Sequence, residues 1–233
     1  MAMFRQLALA FLAVALSAGI TGCGSSGSPS PLASDGAATI FTEATANTIA
    51  AQSFTIAGGT SANLFVDLTI VRGLGCTGTI VQAGTTSAQG TITSKLIWIG
   101  NTVYEHTSGM PANEWMRGPS NSASSSIQNL IALCNPSSLL APLSTAGISS
   151  TTRSVIEYHG QPALDLILPG TQQDPSKTGA IVVTDTQKPL LLDISEPGSG
   201  AFAFTGYGAT KTIAPPASTN APPASSRPGP PAP

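Results

Sequence analysis

Charge is what this sequence has least of. Asp, Glu, Lys and Arg make up 9% of its 233 residues, whereas soluble domains usually contain about a quarter. No basic cluster is present, so nucleic acid is not an expected partner. The acidic residues are scattered singly, and two histidines and three cysteines give no closely spaced set of metal ligands. We therefore expect no metal and no other cofactor.

Enzyme motifs are also missing. Residues 73–78, Gly-Leu-Gly-Cys-Thr-Gly, fit the spacing G-x-G-x-x-G, but a dinucleotide-binding loop needs a following helix and an acidic residue about 20 positions later. The β-branched segment 79–82 follows instead, and no carboxylate lies between Asp67 and Glu105. We interpret the glycines as a turn between two strands. No G-x-S-x-G motif occurs, and we do not expect an enzyme.

The N-terminal segment is too short to span a bilayer. Leu7 to Ala18 is an uncharged apolar stretch that follows Arg5, and its length is typical of a signal peptide, whereas a spanning helix needs roughly 20 residues. Ile20-Thr21-Gly22-Cys23 then resembles the bacterial lipobox. The resemblance implies cleavage before Cys23, a diacylglyceryl thioether on Cys23 and a further acyl chain, such as palmitate, on the new amine. The alternative is a plain signal peptide with an incidental cysteine.

These observations predict the organisation of the chain. Residues 1–22 form the lipoprotein signal peptide, 23–34 a flexible Gly- and Ser-rich tether, 35–213 one domain, and 214–233 a disordered tail with eight prolines. Two acyl chains are enough for stable anchoring. The expected location is therefore the outer face of the plasma membrane, in the cell envelope.

Two cysteines remain if Cys23 carries lipid. In an exported domain, Cys76 and Cys134 most simply form a disulfide, and the glycines around Cys76 would let the backbone approach the loop that carries Cys134. Two separate buried thiols are the alternative.

The hydrophobic pattern predicts helices and strands in blocks. Asp35 is a candidate N-cap for the first helix. Glycine and proline mark hairpin turns at 100–101 and 160–162. Helices are predicted at 36–52, 112–117 (a short turn that carries Trp115), 124–134 and 137–146. Strands are predicted at 54–57, 64–71, 79–82, 90–99, 102–106, 152–158, 163–168, 180–186, 190–195 and 202–213. Because no crossover helices separate consecutive strands, they should pair antiparallel in an α+β domain.

Three stretches make the pattern more specific. They are IGNTVYEHTSGMPANEW from residue 99, YHGQPALDLIL from residue 158, and AIVVTDTQKPLLLDISEPGSGAFAFTGYG from residue 180. Together with the lipobox and the first helix, they resemble the mycobacterial LppX/LprG-type lipoproteins over about residues 35–215. The resemblance implies a strongly curved antiparallel β half-barrel wrapped around helices, as in the LolA-like carriers of lipoproteins, with an apolar cavity between sheet and helices.

The resemblance also implies a function. Members of this family hold acylated lipids or glycolipids and help to move them to the outer cell envelope, so an envelope lipid exporter is a candidate partner. Several strands carry aliphatic residues on both faces. This pattern fits a sheet with one face covered by other elements and the other face lining a cavity, and an ordinary packed core is the alternative explanation. The candidate lining residues are Leu64, Val66, Leu68, Trp98 and Trp115. The alternative function is a surface-exposed structural or protein-interaction module with no lipid ligand.

Overall fold

The computed structural model describes residues 30–32, 34–60, 64–83, 90–122, 128, 131–140, 152–168, 179–196 and 200–217. The α-helices with described bounds are α1 (Ala37–Ala50) and α2 (Pro136–Leu140), and a 3-10 helix covers Ser120–Ser122. The strands are β1 (Ser53–Thr60), β2 (Leu64–Val71), β3 (Gly75–Ala83), β4 (Thr91–Ile99), β5 (Thr102–Thr107), β6 (Met116–Pro119), β7 (Thr152–Tyr158), β8 (Gln161–Leu168), β9 (Gly179–Thr184), β10 (Leu191–Glu196) and β11 (Gly200–Thr205).

The eleven strands in the described part of the chain form one sheet in the order β6-β5-β4-β3-β2-β1-β11-β10-β9-β8-β7. Every pairing is antiparallel. Strands that are neighbours in sequence pair within each half, and β1 pairs with β11 to join the halves. The sheet is open, with β6 and β7 at its edges. The predicted antiparallel α+β fold is therefore confirmed.

One face of the sheet, the inner face, packs against α1. In β2 the inner side chains Val66, Leu68 and Ile70 are buried, whereas Phe65 on the outer face is 50% exposed. A single core cluster contains side chains of α1 and of nine strands, which in the order of the sheet run from β5, next to one edge, to β8, next to the other. These two strands would stand about 38 Å apart in a flat sheet, but a helix of 14 residues is only about 21 Å long. The sheet must therefore curve around the helix.

A smaller apolar cluster lies on the outer face. It consists of Ala163, Val182 and Leu192, with Ile156 and Tyr158 packed against it. The second apolar face expected from the sequence is thus present in β8 to β10 but not in β2, where Phe65 and Asp67 are exposed.

The predicted helical turn at 112–117 is wrong. Tight turns with Met110 N donating to Thr107 O (3.0 Å) and Glu114 N to Pro111 O (2.9 Å) reverse the chain after β5. Residues 116–119 then pair with β5 as the edge strand β6. The free edge of β5 offers backbone hydrogen bonds that outweigh the weak helical preference of so short a segment.

Several boundaries also differ from the prediction: β1 and β3 cover Ser53–Thr60 and Gly75–Ala83 rather than 54–57 and 79–82, and three further differences concern a cap, a turn and the last strand. The N-cap of α1 is Gly36, without a side-chain hydrogen bond, so Asp35 does not cap the helix; its carbonyl accepts a hydrogen bond from Arg153 instead. His159 and Gly160, both at positive φ, form the turn predicted for 160–162, because two left-handed residues close a two-residue hairpin. The last strand ends at residue 205 rather than 213, because Gly206 and Gly208, both at positive φ, turn the chain directly after it.

Several predicted segments lie outside the described residues. They are the signal peptide at 1–22, Cys23 with most of the tether, and the tail from residue 218. The predicted helix at 124–134 is described only at 128 and 131–134, with 128 and 131–133 helical, and that at 137–146 only up to residue 140. In the described part of the chain, no helix has the length and apolar character needed to cross a membrane.

Candidate functional site

A cavity lies where the inner face of the sheet meets the C-terminal end of α1. Its floor is a row of side chains across the sheet, Phe54 of β1, Ile70 of β2 and Trp98 of β4, with β3 between the last two. Strand register places Phe54 opposite Ile70, Ile70 opposite Cys76, and Cys76 opposite Trp98. The antiparallel pairing therefore assembles the floor from residues far apart in sequence.

The other walls come from α1, α2 and two turns. Ile49 and Ala51 line the cavity at the end of α1, and the start of α2 with the residues before it lines the opposite side. The turn at 72–75 and Gly100 form the rim. The volume is about 380 Å³, within the roughly 300–1,000 Å³ of small-molecule sites. Most of the lining is apolar, so the cavity suits an apolar ligand.

A disulfide holds one wall in place. It joins Cys76 of β3 to Cys134, with 5.7 Å between the Cα atoms, and both cysteines are buried. Cys134 lies two residues before α2 and itself lines the cavity. The predicted pairing is therefore present in the structure, and it fixes the segment that leads into α2 next to the floor.

The glycine run that precedes Cys76 forms the rim. Gly73 has a φ of 76° and lies in the turn between β2 and β3, a conformation that glycine adopts without steric cost. At Gly75 a Cβ atom would overlap the carbonyl oxygen of Trp98 on the neighbouring strand. The turn predicted for residues 73–78 is thus shorter than expected, because residues 75–78 belong to β3, and glycine at position 75 is needed for the close pairing of β3 with β4.

Besides the exposed Asn135 and Ser137, two further polar groups accompany the apolar lining. Trp98 lines the cavity, and its indole Nε1 is buried with no hydrogen-bond partner among the described residues. Arg72 is the charged residue of the described lining; it is exposed, and its Nη1 donates to the carbonyl of Ala50 at 3.1 Å. The site therefore offers one buried donor and one exposed cation.

The residues predicted to line a cavity are distributed over three environments. Trp98 lines the cavity. Val66 and Leu68 are 1% and 0% exposed in the packed core, and Leu64 packs against that core. Trp115 packs beside His106 on the face away from the core, with the two rings tilted and 5.6 Å between their centroids. Of the five, the structure brings only Trp98 to this cavity.

The other lining residues were not identified from the sequence. Ile49 falls on the predicted first helix. It is the second-last residue of α1, and an aliphatic residue at a helix end is only a weak signal for a cavity wall. Arg72 carries a clearer signal, because it is a charge placed between an apolar strand and a glycine turn in a chain with few charges. The start of α2 lies beside the cavity because the disulfide holds the preceding segment there. The local sequence pattern of α2 does not indicate this position.

A hydrogen-bonded group fixes the end of α1 beside the cavity. The Tyr207 hydroxyl donates to the carbonyl of Leu191 at 2.5 Å and lies 3.3 Å from Thr48 Oγ1. The Leu191 N–H donates in turn to Thr48 Oγ1 at 3.1 Å. Burial raises the pKa of the Tyr207 hydroxyl well above its usual value, and the hydrogen bond with Thr48 partly opposes this.

The histidines have structural partners. The His106 ring hydrogen bonds through Nδ1 with the carbonyl of Glu114 at 2.8 Å, and the His159 ring packs edge-on against Tyr158 at 4.4 Å. Within the described ranges, no group of three or more His, Cys, Asp or Glu side chains is close enough to hold a metal ion.

Comparison with known proteins supports the fold. No protein-family model and no curated protein matches the chain. Among solved structures, LprF from Mycobacterium bovis matches with a TM-score of 0.56 and 13% identity over 78% of this chain and 97% of LprF. The Mycobacterium tuberculosis lipoprotein LppX matches with a TM-score of 0.44 and 11% identity over 76% of this chain and 97% of LppX. The likeness to LprF shows that this chain has the fold of the LppX/LprG-type proteins.

Proposed function

We propose that this protein is a lipid-anchored lipoprotein of the cell envelope that holds an acylated lipid or glycolipid in the cavity beside Trp98 and assists its transport outward. The observation that carries the proposal is the cavity itself. It is lined mainly by apolar side chains, it opens at one end of a curved sheet, and a disulfide fixes one of its walls. The resemblance of the sequence to lipid-carrying lipoproteins supports the same function.

The volume suits one acyl chain. An apolar cavity of about 150 Å³ accommodates benzene, which corresponds to about 25 Å³ per carbon atom. A volume of about 380 Å³ thus holds about 15 carbon atoms. Each buried methylene contributes about 0.8 kcal/mol, so one chain supplies enough apolar free energy for retention without charged contacts.

Filling the cavity tests the proposal. In Ile49→Trp the larger ring enters the cavity from α1, so co-purified lipid should be lost while the free energy of unfolding changes little. Val66→Trp is the matched control, because Val66 is 1% exposed in the packed core and overpacking there should cost about 1–3 kcal/mol. The measurements are lipid extraction and native mass spectrometry of the full chain purified in mild detergent, with thermal unfolding of both variants.

The alternative is a structural or protein-interaction module. It would be favoured if the unaltered protein carries no lipid at any stage of purification, binds none when lipids are added, and Ile49→Trp destabilises the fold as Val66→Trp does.

A further inference from the structure

A buried donor without a partner is unusual in a folded protein. An indole N–H that loses water on folding usually finds an acceptor, because leaving it unpaired is unfavourable. Trp98 Nε1 is buried and has no such partner among the described residues, although the side chain lies in a cavity wall. Because this N–H exposes almost no surface to the cavity, an acceptor on a bound ligand would complete its hydrogen bonding after a small rotation of the Trp98 ring.

Arg72 has unused donors at the rim. A guanidinium carries five N–H donors, and one hydrogen bond, from Nη1 to Ala50 O, is present in the structure. No ion pair with a described carboxylate engages Arg72, and the side chain is exposed. A guanidinium in this state readily pairs with a phosphate or carboxylate.

Exposure along the lining orders these groups from outside to inside. Arg72 is exposed, Trp98 is partly buried, and Ile70 and Phe54 are 4% and 1% exposed. A single ligand would therefore meet a cation at the rim, then a hydrogen-bond donor, and then an apolar floor. An amphiphile with an anionic headgroup, an ester link and one acyl chain presents its groups in the same order.

We propose that the cavity recognises an anionic amphiphile through two contacts: its ester carbonyl accepts a hydrogen bond from Trp98 Nε1, and its anionic headgroup pairs with Arg72. This assignment rests on the proposed function, since it specifies the chemistry of the lipid that the cavity holds. It requires one chain inside the cavity and leaves the headgroup at the rim in contact with solvent.

Three probes separate the contacts. Palmitoyl lysophosphatidylglycerol has the anionic headgroup and the ester, monopalmitoylglycerol has the ester alone, and hexadecylglycerol has an ether in place of the ester. Their dissociation constants would be measured by native mass spectrometry with the full chain held in an amphipathic polymer at low salt. The unaltered protein should bind the first probe about two- to fivefold more tightly than the second. It should bind the second about three- to tenfold more tightly than the third.

Three variants assign the preferences to residues. Trp98→Phe keeps an aromatic ring and removes the N–H, so it should abolish the preference for ester over ether while the melting temperature stays within a few degrees. Arg72→Gln should abolish the preference for the anionic headgroup, and Arg72→Lys should retain it.

The possible results have different meanings. If no probe binds the unaltered protein, the proposed function itself is wrong. If all three probes bind equally well, the cavity holds lipid but the recognition proposed here is overturned. If Trp98→Phe weakens the ester and ether probes to the same extent, Trp98 only packs against the chain and the hydrogen bond is overturned.

Discussion

Tyr207 shows how a single hydroxyl can hold a helix end against a strand. Its O–H satisfies the carbonyl of Leu191 at the start of β10, and the same group adjoins Thr48 on the buried side of α1. Ring stacking on Phe54, with 5.8 Å between the centroids, connects Tyr207 to a residue of the cavity floor. A change at Tyr207 should therefore affect both the position of α1 and the shape of the cavity.

The raised pKa of Tyr207 predicts a loss of stability at high pH. The unfolded tyrosine ionises near pH 10, whereas the folded one keeps its proton to a higher pH. The contribution of Tyr207 to the free energy of unfolding is thus fully present below about pH 10. Above that pH, each further pH unit should lower the free energy of unfolding by up to about 1.4 kcal/mol. Tyr207→Phe should lower the free energy of unfolding by about 1 kcal/mol at pH 7. Above pH 10 the free energy of unfolding of this variant should decline less steeply than that of the unaltered protein.

Denaturant unfolding of both proteins between pH 7 and pH 11 measures this difference. Burial raises the pKa of Tyr158 as well, so Tyr158→Phe, on the outer face away from α1, should also make the decline above pH 10 less steep and serves as a comparison. Parallel pH dependence of the Tyr207→Phe and unaltered proteins would contradict the prediction.

The disulfide is the feature that connects elements across the cavity. It links β3 to the segment before α2 over a sequence separation of 58 residues. In the chain-entropy model a closed loop of this length stabilises the folded state by about 4 kcal/mol. Because Cys134 lines the cavity, the bridge also keeps the start of α2 near the floor.

Replacing both cysteines should therefore have two effects. Cys76→Ala with Cys134→Ala should lower the melting temperature by several degrees or more and should increase the rate of lipid dissociation, because the wall at α2 is released. Thiol titration of the denatured mature protein without reductant should find no free thiol at these two positions. If two thiols titrate in the unaltered protein, the disulfide is absent and cannot explain either effect.

Elements with a strong local pattern were predictable from the sequence. The alternation in Leu64–Val71 and the glycine turn at Gly100 gave strand and hairpin positions that the structure confirms. The segment at 116–119 was mispredicted, because its strand conformation depends on the free edge of β5 and not on its own sequence. Periodicity can assign Val66 to an inner face, but whether that face is filled or open depends on which elements cover it.

The same limit applies to the site. Trp98 was a candidate because it is one of two tryptophans, but Trp115 was an equal candidate and lies beside His106. The difference arises from strand register, which places Trp98 in the row with Ile70 and Phe54. Register follows from the pairing of the whole sheet, so no local signal could separate the two residues.

At the scale of the whole molecule, the curved sheet places the cavity at the end where α1 stops. The turn at 72–75, Gly100 and the residues before α2 surround this opening. A carrier anchored by its N-terminus would need a flexible connection to turn this opening toward a membrane or toward a partner. The Gly- and Ser-rich segment after Cys23 has the composition of such a connection.

The anchor is the last prediction, and it concerns the chain as a whole. Thioether-linked diacylglycerol supplies two chains, and two chains give stable membrane attachment. Cys23→Ala should therefore leave the signal peptide uncut or release the protein into the aqueous fraction. Detergent phase partitioning and intact-mass measurement of both proteins provide the test. Cys76→Ala with Cys134→Ala is a suitable control, because it removes both cysteines of the folded domain without leaving an unpaired thiol there and should leave partitioning into detergent unchanged. If Cys23→Ala partitions into the detergent phase as the unaltered protein does, and its mass shows a cut chain, the anchor lies elsewhere.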